Sequence, residues 1–390
     1  MVYRMTEWIE CTLDKLGEIV GGATPSTKCE DYYGGSIPWI TPKDLSSFKG
    51  RYITSGERNI TEKGLASCSA QMMPKDAVLF TSRAPIGYVA IASQSVCTNQ
   101  GFKSIVVNEK ADPLFVYYLL KYNKDAIEAM GSGTTFKEVS GKTMRAVKVR
   151  IPLDVSYQKR IAAVLDSLDT KIENNERIND NLQQQAAALF SSLYDRSNTE
   201  VRFTDLIQIL GGGTPKTGEN TYWNGNIAFF TPKDVGTPYT LITEKTITEE
   251  GLSHCNSRLY PVNTVFVTAR GTVGKVGMSG VPMAMNQSCY ALVGKETHQL
   301  LVYFYTLKAV DRLKHKASGA VFDAITTRDF ESEQIMKLSD DDATAFLRVA
   351  EPMFQEVLNN NIENLRLSTL RDSLLPKLMS GEIDVSAVQL

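Results

Sequence analysis

No stretch of this 390-residue chain comes near the run of about 18 apolar residues that a membrane helix requires. The opening residues, MVYRMTEWIE, hold no signal-peptide core. Both absences point to a cytoplasmic chain with no membrane partner. Cysteine is sparse: Cys11, Cys29, Cys68, Cys97, Cys255 and Cys289, none in a CxxC pair. That spacing offers no zinc site, and reduced, mostly buried thiols are expected. Histidine is scarcer still, and His254, His298 and His315 all fall in the second half. No Glu-x-Lys triplet of the metal-dependent nuclease kind occurs; Asp169-Thr170-Lys171 has the spacing but sits in a helical pattern. Gly-x-Gly-x-x-Gly is missing, and Gly141-Lys142-Thr143 lacks the upstream glycine of a phosphate loop because position 136 is Phe. Acid–base, metal and nucleotide chemistry therefore have no constellation to work from, and neither a catalytic residue nor a cofactor of its own is expected. Net charge is only −2, so no strong overall field draws a polyanion.

What the chain does have, it has twice. Leu16 to Leu45 reads LGEIVGGATPSTKCEDYYGGSIPWITPKDL, and Leu206 to Val235 reads LIQILGGGTPKTGENTYWNGNIAFFTPKDV. At an offset of 190 residues, 14 of these 30 positions are identical, against roughly two by chance from average residue usage. The echo continues through Ile60–Leu65 and Ile247–Leu252, Thr81-Ser82-Arg83 and Thr268-Ala269-Arg270, Asn99-Gln100 and Asn286-Gln287. A fourth echo links Ser132-Gly133-Thr134-Thr135-Phe136 to Ser318-Gly319-Ala320-Val321-Phe322. A histidine base inherited by this duplication would appear in both halves, and none does.

Each repeat opens with short β-like runs such as Ser36–Ile40, Ala77–Phe80 and Thr264–Val267, and closes on an apolar helix near Pro113–Leu120 or Leu300–Tyr305. The glycines Gly21-Gly22 and Gly211-Gly212-Gly213 before Thr-Pro read as tight turns of unusual φ/ψ. Between and after the repeats the style changes. From Tyr157 to about Arg196 there is neither Pro nor Gly. Leu165, Leu168, Ile172, Asn175, Asn179, Leu182, Ala186, Leu189 and Leu193 alternate at spacings of three and four, a heptad seam. Phe354, Leu358, Ile362, Leu365, Leu370 and Leu374 line a second stripe, which Pro376 and Gly381 should interrupt. Asn175 and Asn179 would fix register rather than add stability. The fold class expected is α+β: two tandem mixed domains at 1–152 and 199–338, with helices at 153–198 and 339–390 packing as an antiparallel coiled coil, pseudo-two-fold symmetric. Charge follows the same division, at +4 for residues 1–150, −3 for 151–200, +2 for 201–337 and −5 for 338–390. Two mildly basic lobes alternate with two acidic segments, which permits nucleic-acid binding without demanding it.

The repeated polar residues suit a DNA surface. Lys43 and Lys233 sit in Thr-Pro-Lys-Asp turns, Arg83 and Arg270 follow β-like runs, and Asn99, Gln100, Asn286 and Gln287 supply amides. Lys and Arg bind phosphates, whereas Arg to guanine and Asn or Gln to adenine are favoured base contacts. An internal role stays open for each; Arg83, for instance, could pair with Asp44. Thr135 and Lys137 in the first repeat complete the candidates. Segments 46–59 and 236–246 differ in length and share almost nothing. If the lobes bind DNA, these segments specify bases, with Lys49 and Arg51 in the first and Tyr239 in the second as candidates.

The chain resembles the specificity subunit of type I restriction–modification enzymes over essentially its full length. The resemblance rests on Gly21–Pro25 with Trp39–Leu45, on Thr81–Gly87, and on Ile151-Pro152-Leu153 leading to Gln158–Ala162. Leu168–Asn175 and the ending Leu374–Ile383 add to it. It implies two target-recognition domains, each reading half of a split asymmetric site in double-stranded DNA, on a rigid helical spacer. Methylation subunits, two of them, would bring S-adenosylmethionine, and a restriction–translocase subunit would use ATP and Mg. One departure is visible: 332–337 and 339–344 replace the Ile-Pro-Leu to Gln-Lys-Arg junction of the first repeat. A type IIB or IIG-like assembly, or a coiled-coil adaptor for proteins, remain alternatives.

Overall fold

In the computed structural model, residues 6–83, 85–133, 137–236, 238–316 and 324–388 are described. Thr135, Thr237 and most of the fourth echo (134–136 and 317–323) lie outside them. The chain divides into two compact units, Met1–Glu173 with Arg366–Leu390, and Asn174–Leu365. Each unit therefore owns part of both long helices.

The two units carry the same sheets. In the first, strands Gly17–Gly21, Lys103–Val107, Val78–Ser82, Ile86–Ala92 and Tyr52–Ile53 lie in that order, antiparallel except for the last pair. A smaller sheet orders Arg58–Ile60, Tyr33–Ile40 and Cys97–Thr98, and Trp8–Thr12 pairs with Lys148–Pro152. The second unit repeats this with Ile207–Gly211, Cys289–Gly294, Val265–Thr268, Val276–Ser279 and Tyr239–Thr240. Its smaller sheet is Lys245–Ile247, Trp223–Phe230 and Met283–Met285. Even an irregularity is copied: Tyr33 and Ile37 both face Ile60, as Trp223 and Ile227 both face Ile247. The expected β runs each overlap a strand, with Ala77 and Thr264 just before theirs, and the apolar helices are Pro113–Tyr122 and Gln299–Lys316.

The heptad seam forms a helix over Val155–Arg196, and the second stripe one over Asp340–Ser380. The latter runs through Pro376, which forfeits one backbone donor without ending it. Gly381, at φ +80°, is where it stops. Within the second unit the helices pair antiparallel through amides. The Asn175 amide donates to Glu363 and Asn364 at 2.7 and 2.9 Å, and Asn179 exchanges bonds with Asn360 and Asn361 at 2.9 and 3.0 Å. Buried amides of this kind pair only in one alignment, as the seam predicted. Asn179→Leu strands the partner amides and should destabilise this unit by about 1–3 kcal/mol. A urea midpoint equal to or above that of the parent chain would contradict the register role.

The helices meet the two lobes with opposite chemistry. Counted from the helix starts at Val155 and Asp340, Asp169 and Phe354 are equivalent. Phe354 packs among Tyr239, Tyr303 and Phe304, part of an aromatic cluster with Phe190 and Phe346. Asp169, almost wholly buried, accepts from Tyr118 Oη at 2.7 Å and from Arg371 Nη1 at 2.6 Å. Beside it Arg51 reaches Asp166 and Glu173 at 2.8 and 3.0 Å and Thr170 at 2.9 Å. All six cysteines are free, but only Cys97 and Cys289 are buried, where desolvation pushes each thiol up to about 12. The expectation of mostly buried thiols is corrected for the other four, which are half-buried.

Candidate nucleic-acid interface

Three backbone bonds gather the repeated polar segments into one corner of each lobe. In the first, Ala23 N–H donates to Thr98 O at 3.0 Å, Asn99 N–H to Ile40 O at 3.0 Å, and Ser82 N–H to Gly101 O at 2.7 Å. In the second, Gly213 donates to Met285 at 3.1 Å, Asn286 to Phe230 at 3.0 Å, and Ala269 to Ser288 at 2.8 Å. The residues correspond one for one. Motifs far apart in sequence, GGATP, TPKD, TSR and NQ, thus meet at the strand ends.

The glycine pair allows this approach, though not through unusual φ/ψ. Left-handed φ among described glycines falls on other positions, such as Gly34 and Gly87. Instead, a Cβ on Gly22 would stand 2.1 Å from both Thr98 O and Asn99 O, and one on Gly212 would stand 2.2 Å from Asn286 O. The need is for close passage of two backbones.

Within the corner the amides divide their work. Asn99 Oδ1 accepts from Gly101 N at 2.9 Å, and Asn286 Oδ1 from Ser288 N at 3.0 Å, so both cap their own turns. Gln100 and Gln287 are exposed, each with its carbonyl bonded by Thr24 or Thr214. That bond orients the side chain and leaves its NH2 as the outward donor. Arg83 sits on a loop pinned by Thr81, whose hydroxyl donates to Pro85 O and accepts from Tyr88 N, both at 2.8 Å. Its partner is Glu138 at 3.6 Å, not Asp44. In the second lobe Ala324 stands opposite Arg270 where Glu138 stands opposite Arg83, and Arg270 is exposed.

Asp44 has a different task. Its Oδ2 accepts from Thr41 N and Oγ1 at 2.7 and 2.6 Å, and its Oδ1 from Glu57 N at 2.8 Å. Asp234 does the same with Thr231 and Glu244. Lys43 and Lys233, about four-fifths exposed, project outward as expected and pair with Glu57 and Glu244 at 2.7 and 3.5 Å. Lys43 holds the Glu57 carboxyl below its usual range. Lys49 and Lys137 are also exposed.

Two candidates turn inward. Arg51 is 5% exposed, spent on carboxylates of the long helix. Tyr239 is 8% exposed, its ring against Phe354 and its hydroxyl donating to Asn263 Oδ1 at 3.0 Å. Both anchor the variable segment to the body, and neither presents itself to a duplex. Their partners on distant segments decide this, Asp166 and Glu173 for Arg51 and Phe354 and Asn263 for Tyr239, and residue type alone gave no sign of it. Thr24, Thr214, Asp44 and Asp234 were absent from the candidate set, although their identity in both repeats was visible.

A family profile described as the type I restriction modification DNA specificity domain matches residues 5–184 and again 196–337. The chain belongs to that family. It is 30% identical over 408 residues to the type I restriction enzyme MjaIX specificity subunit of Methanocaldococcus jannaschii, covering 97% of this chain and 94% of that one. It is 24% identical over 370 residues to the HindI specificity subunit of Haemophilus influenzae, covering 72% and 80%. In fold it is similar to the S subunit of a type I restriction–modification system from M. genitalium, with TM-score 0.63 at 16% identity over 97% of each chain. The two profile matches fall one on each repeat, so both polar corners belong to specificity domains. Among the described residues no three His, Cys, Asp or Glu side chains gather to hold a metal, and no helix is long and apolar enough to cross a membrane.

Proposed function

We propose that this chain is the non-catalytic DNA-specificity subunit of a cytoplasmic type I restriction–modification complex. Each lobe reads one half of a bipartite, asymmetric duplex site. The observation that carries the reading is the polar corner built twice by corresponding backbone bonds, with sequence-divergent segments beside it. Shared Lys43, Lys233 and Arg270 suit phosphates, and the oriented amides of Gln100 and Gln287 suit base edges or phosphates. Two methylation subunits supply the S-adenosylmethionine chemistry on adenine, and restriction subunits supply the ATP- and Mg-dependent steps; this chain contributes the address. Base identity comes from the lobes, so expression with the cognate methylation subunit should create a split methyl-adenine motif that single-molecule sequencing of host DNA detects. Loss of the motif on deleting this chain is expected. An unchanged methylome would remove the reading. Binding should also fall steeply with salt, because phosphate contacts release counterions; salt-insensitive binding would favour a protein-binding adaptor.

A further inference from the structure

Each divergent segment is closed by a single carboxylate. Asp44 holds Thr41 at the entrance and Glu57 N at the exit, so residues 45–56 leave and return at one side chain. Asp234 holds Thr231 and Glu244 N, closing residues 235–243. The enclosed segments differ in length and sequence, yet the bonds match to within 0.1 Å: 2.7, 2.6 and 2.8 Å against 2.8, 2.6 and 2.7 Å. A bond to the start of a short helix would need only one end of the segment. Here the second oxygen serves the far end, and Lys43–Glu57 and Lys233–Glu244 place an ion pair across the same closure. In the first unit, a Cβ on Gly56 would stand 2.7 Å from Asp44 Oδ2, so the end of the segment passes directly against the carboxylate.

We propose that Asp44 and Asp234 are positioning residues for target recognition: each sets the pose of the base-reading segment in its own lobe without touching DNA. The proposal rests on the DNA-specificity reading above. Charge-assisted bonds from backbone N–H groups are strong and directional. A recognition segment must hold its base contacts to a fraction of an ångström. Opening one end therefore costs discrimination before it costs the fold, because the sheets beneath keep their own ladders. Nonspecific attraction through exposed lysines is unaffected.

The test selects bound sequences from a randomised duplex DNA pool with the full-length chain, comparing the parent with Asp44→Ala and Asp234→Ala. Asp44→Asn and Asp234→Asn serve as second variants, since an amide can accept at one end only. Expected for Asp44→Ala is at least a tenfold loss of discrimination in one half of the selected site, with the other half and the affinity for random duplex unchanged. Asp234→Ala should give the mirror image. The asparagine variants should fall between. Equal losses in both halves, or none in either, with an unchanged melting temperature, would overturn the positioning role while leaving the DNA reading intact. A parent chain that enriches no sequence would bring down both.

Discussion

Gly22→Ala should abolish specific binding by the first lobe, while Gly21→Ala, one residue away, should leave it intact. The added methyl at position 22 would stand 2.1 Å from two carbonyl oxygens, whereas at position 21 it meets nothing within 4 Å. Both oxygens are backbone and lie on the segment that carries Asn99 and Gln100. Relief requires the GGATP segment to lift away, breaking the Ala23 to Thr98 bond and taking Thr24 from Gln100. Overpacking of this kind costs about 3 kcal/mol when backbone must move. The second lobe supplies the replicate: Gly212→Ala should behave like Gly22→Ala, and Gly211→Ala, with open space, like Gly21→Ala. Thermal melting together with half-site discrimination reads the result. Equal effects at the two positions of either pair would refute the close-passage account.

Arg371→Met should destabilise the first unit by about 3 kcal/mol, and adding Asp169→Leu should restore most of the loss. Asp169 has an 8% exposed side chain, and Arg371 donates to one of its oxygens at 2.6 Å. Removing the guanidinium leaves a buried carboxylate with the Tyr118 hydroxyl alone, and breaking such a pair costs about 3–5 kcal/mol. The lower end applies because the Arg371 side chain is itself 20% exposed. Removing both charges leaves the Tyr118 hydroxyl without its acceptor but no uncompensated buried charge, in a place where the second unit puts Phe354, and buried pairs replaced by apolar residues often lose little. Denaturant unfolding, with hydrogen exchange to localise the change, distinguishes the cases. A double variant as unstable as the single would show that the network supplies net stability rather than alignment.

The family resemblance, the duplication and both long helices were legible because they are statements about spacing. An offset of 190 residues survives divergence, and a three–four alternation has only one regular structure that satisfies it. Lys43 and Lys233 were legible for a related reason: a Thr-Pro-Lys-Asp turn pins its first and last residues and leaves the lysine outside. That Arg51 and Tyr239 turn inward was not legible because an arginine or tyrosine in a variable segment looks the same whether it faces solvent or a helix more than a hundred residues away. The aspartates were overlooked because a carboxylate beside basic residues reads as a neutralising neighbour. Only the position of Glu57 N and Glu244 N shows that it closes a loop.

By itself, the sequence determined that this protein is one module written twice with paired helices, and that its candidate surface lies in the residues written twice. Tertiary structure decided which repeated glycine permits two backbones to touch, which cation faces outward and which is spent inside, and that the lobes meet the helices through charge in one unit and aromatics in the other. The physical reason is range. Periodicity and turn chemistry act over a few residues and are encoded locally, whereas burial and hydrogen-bond partnership depend on segments brought together only when the chain has folded.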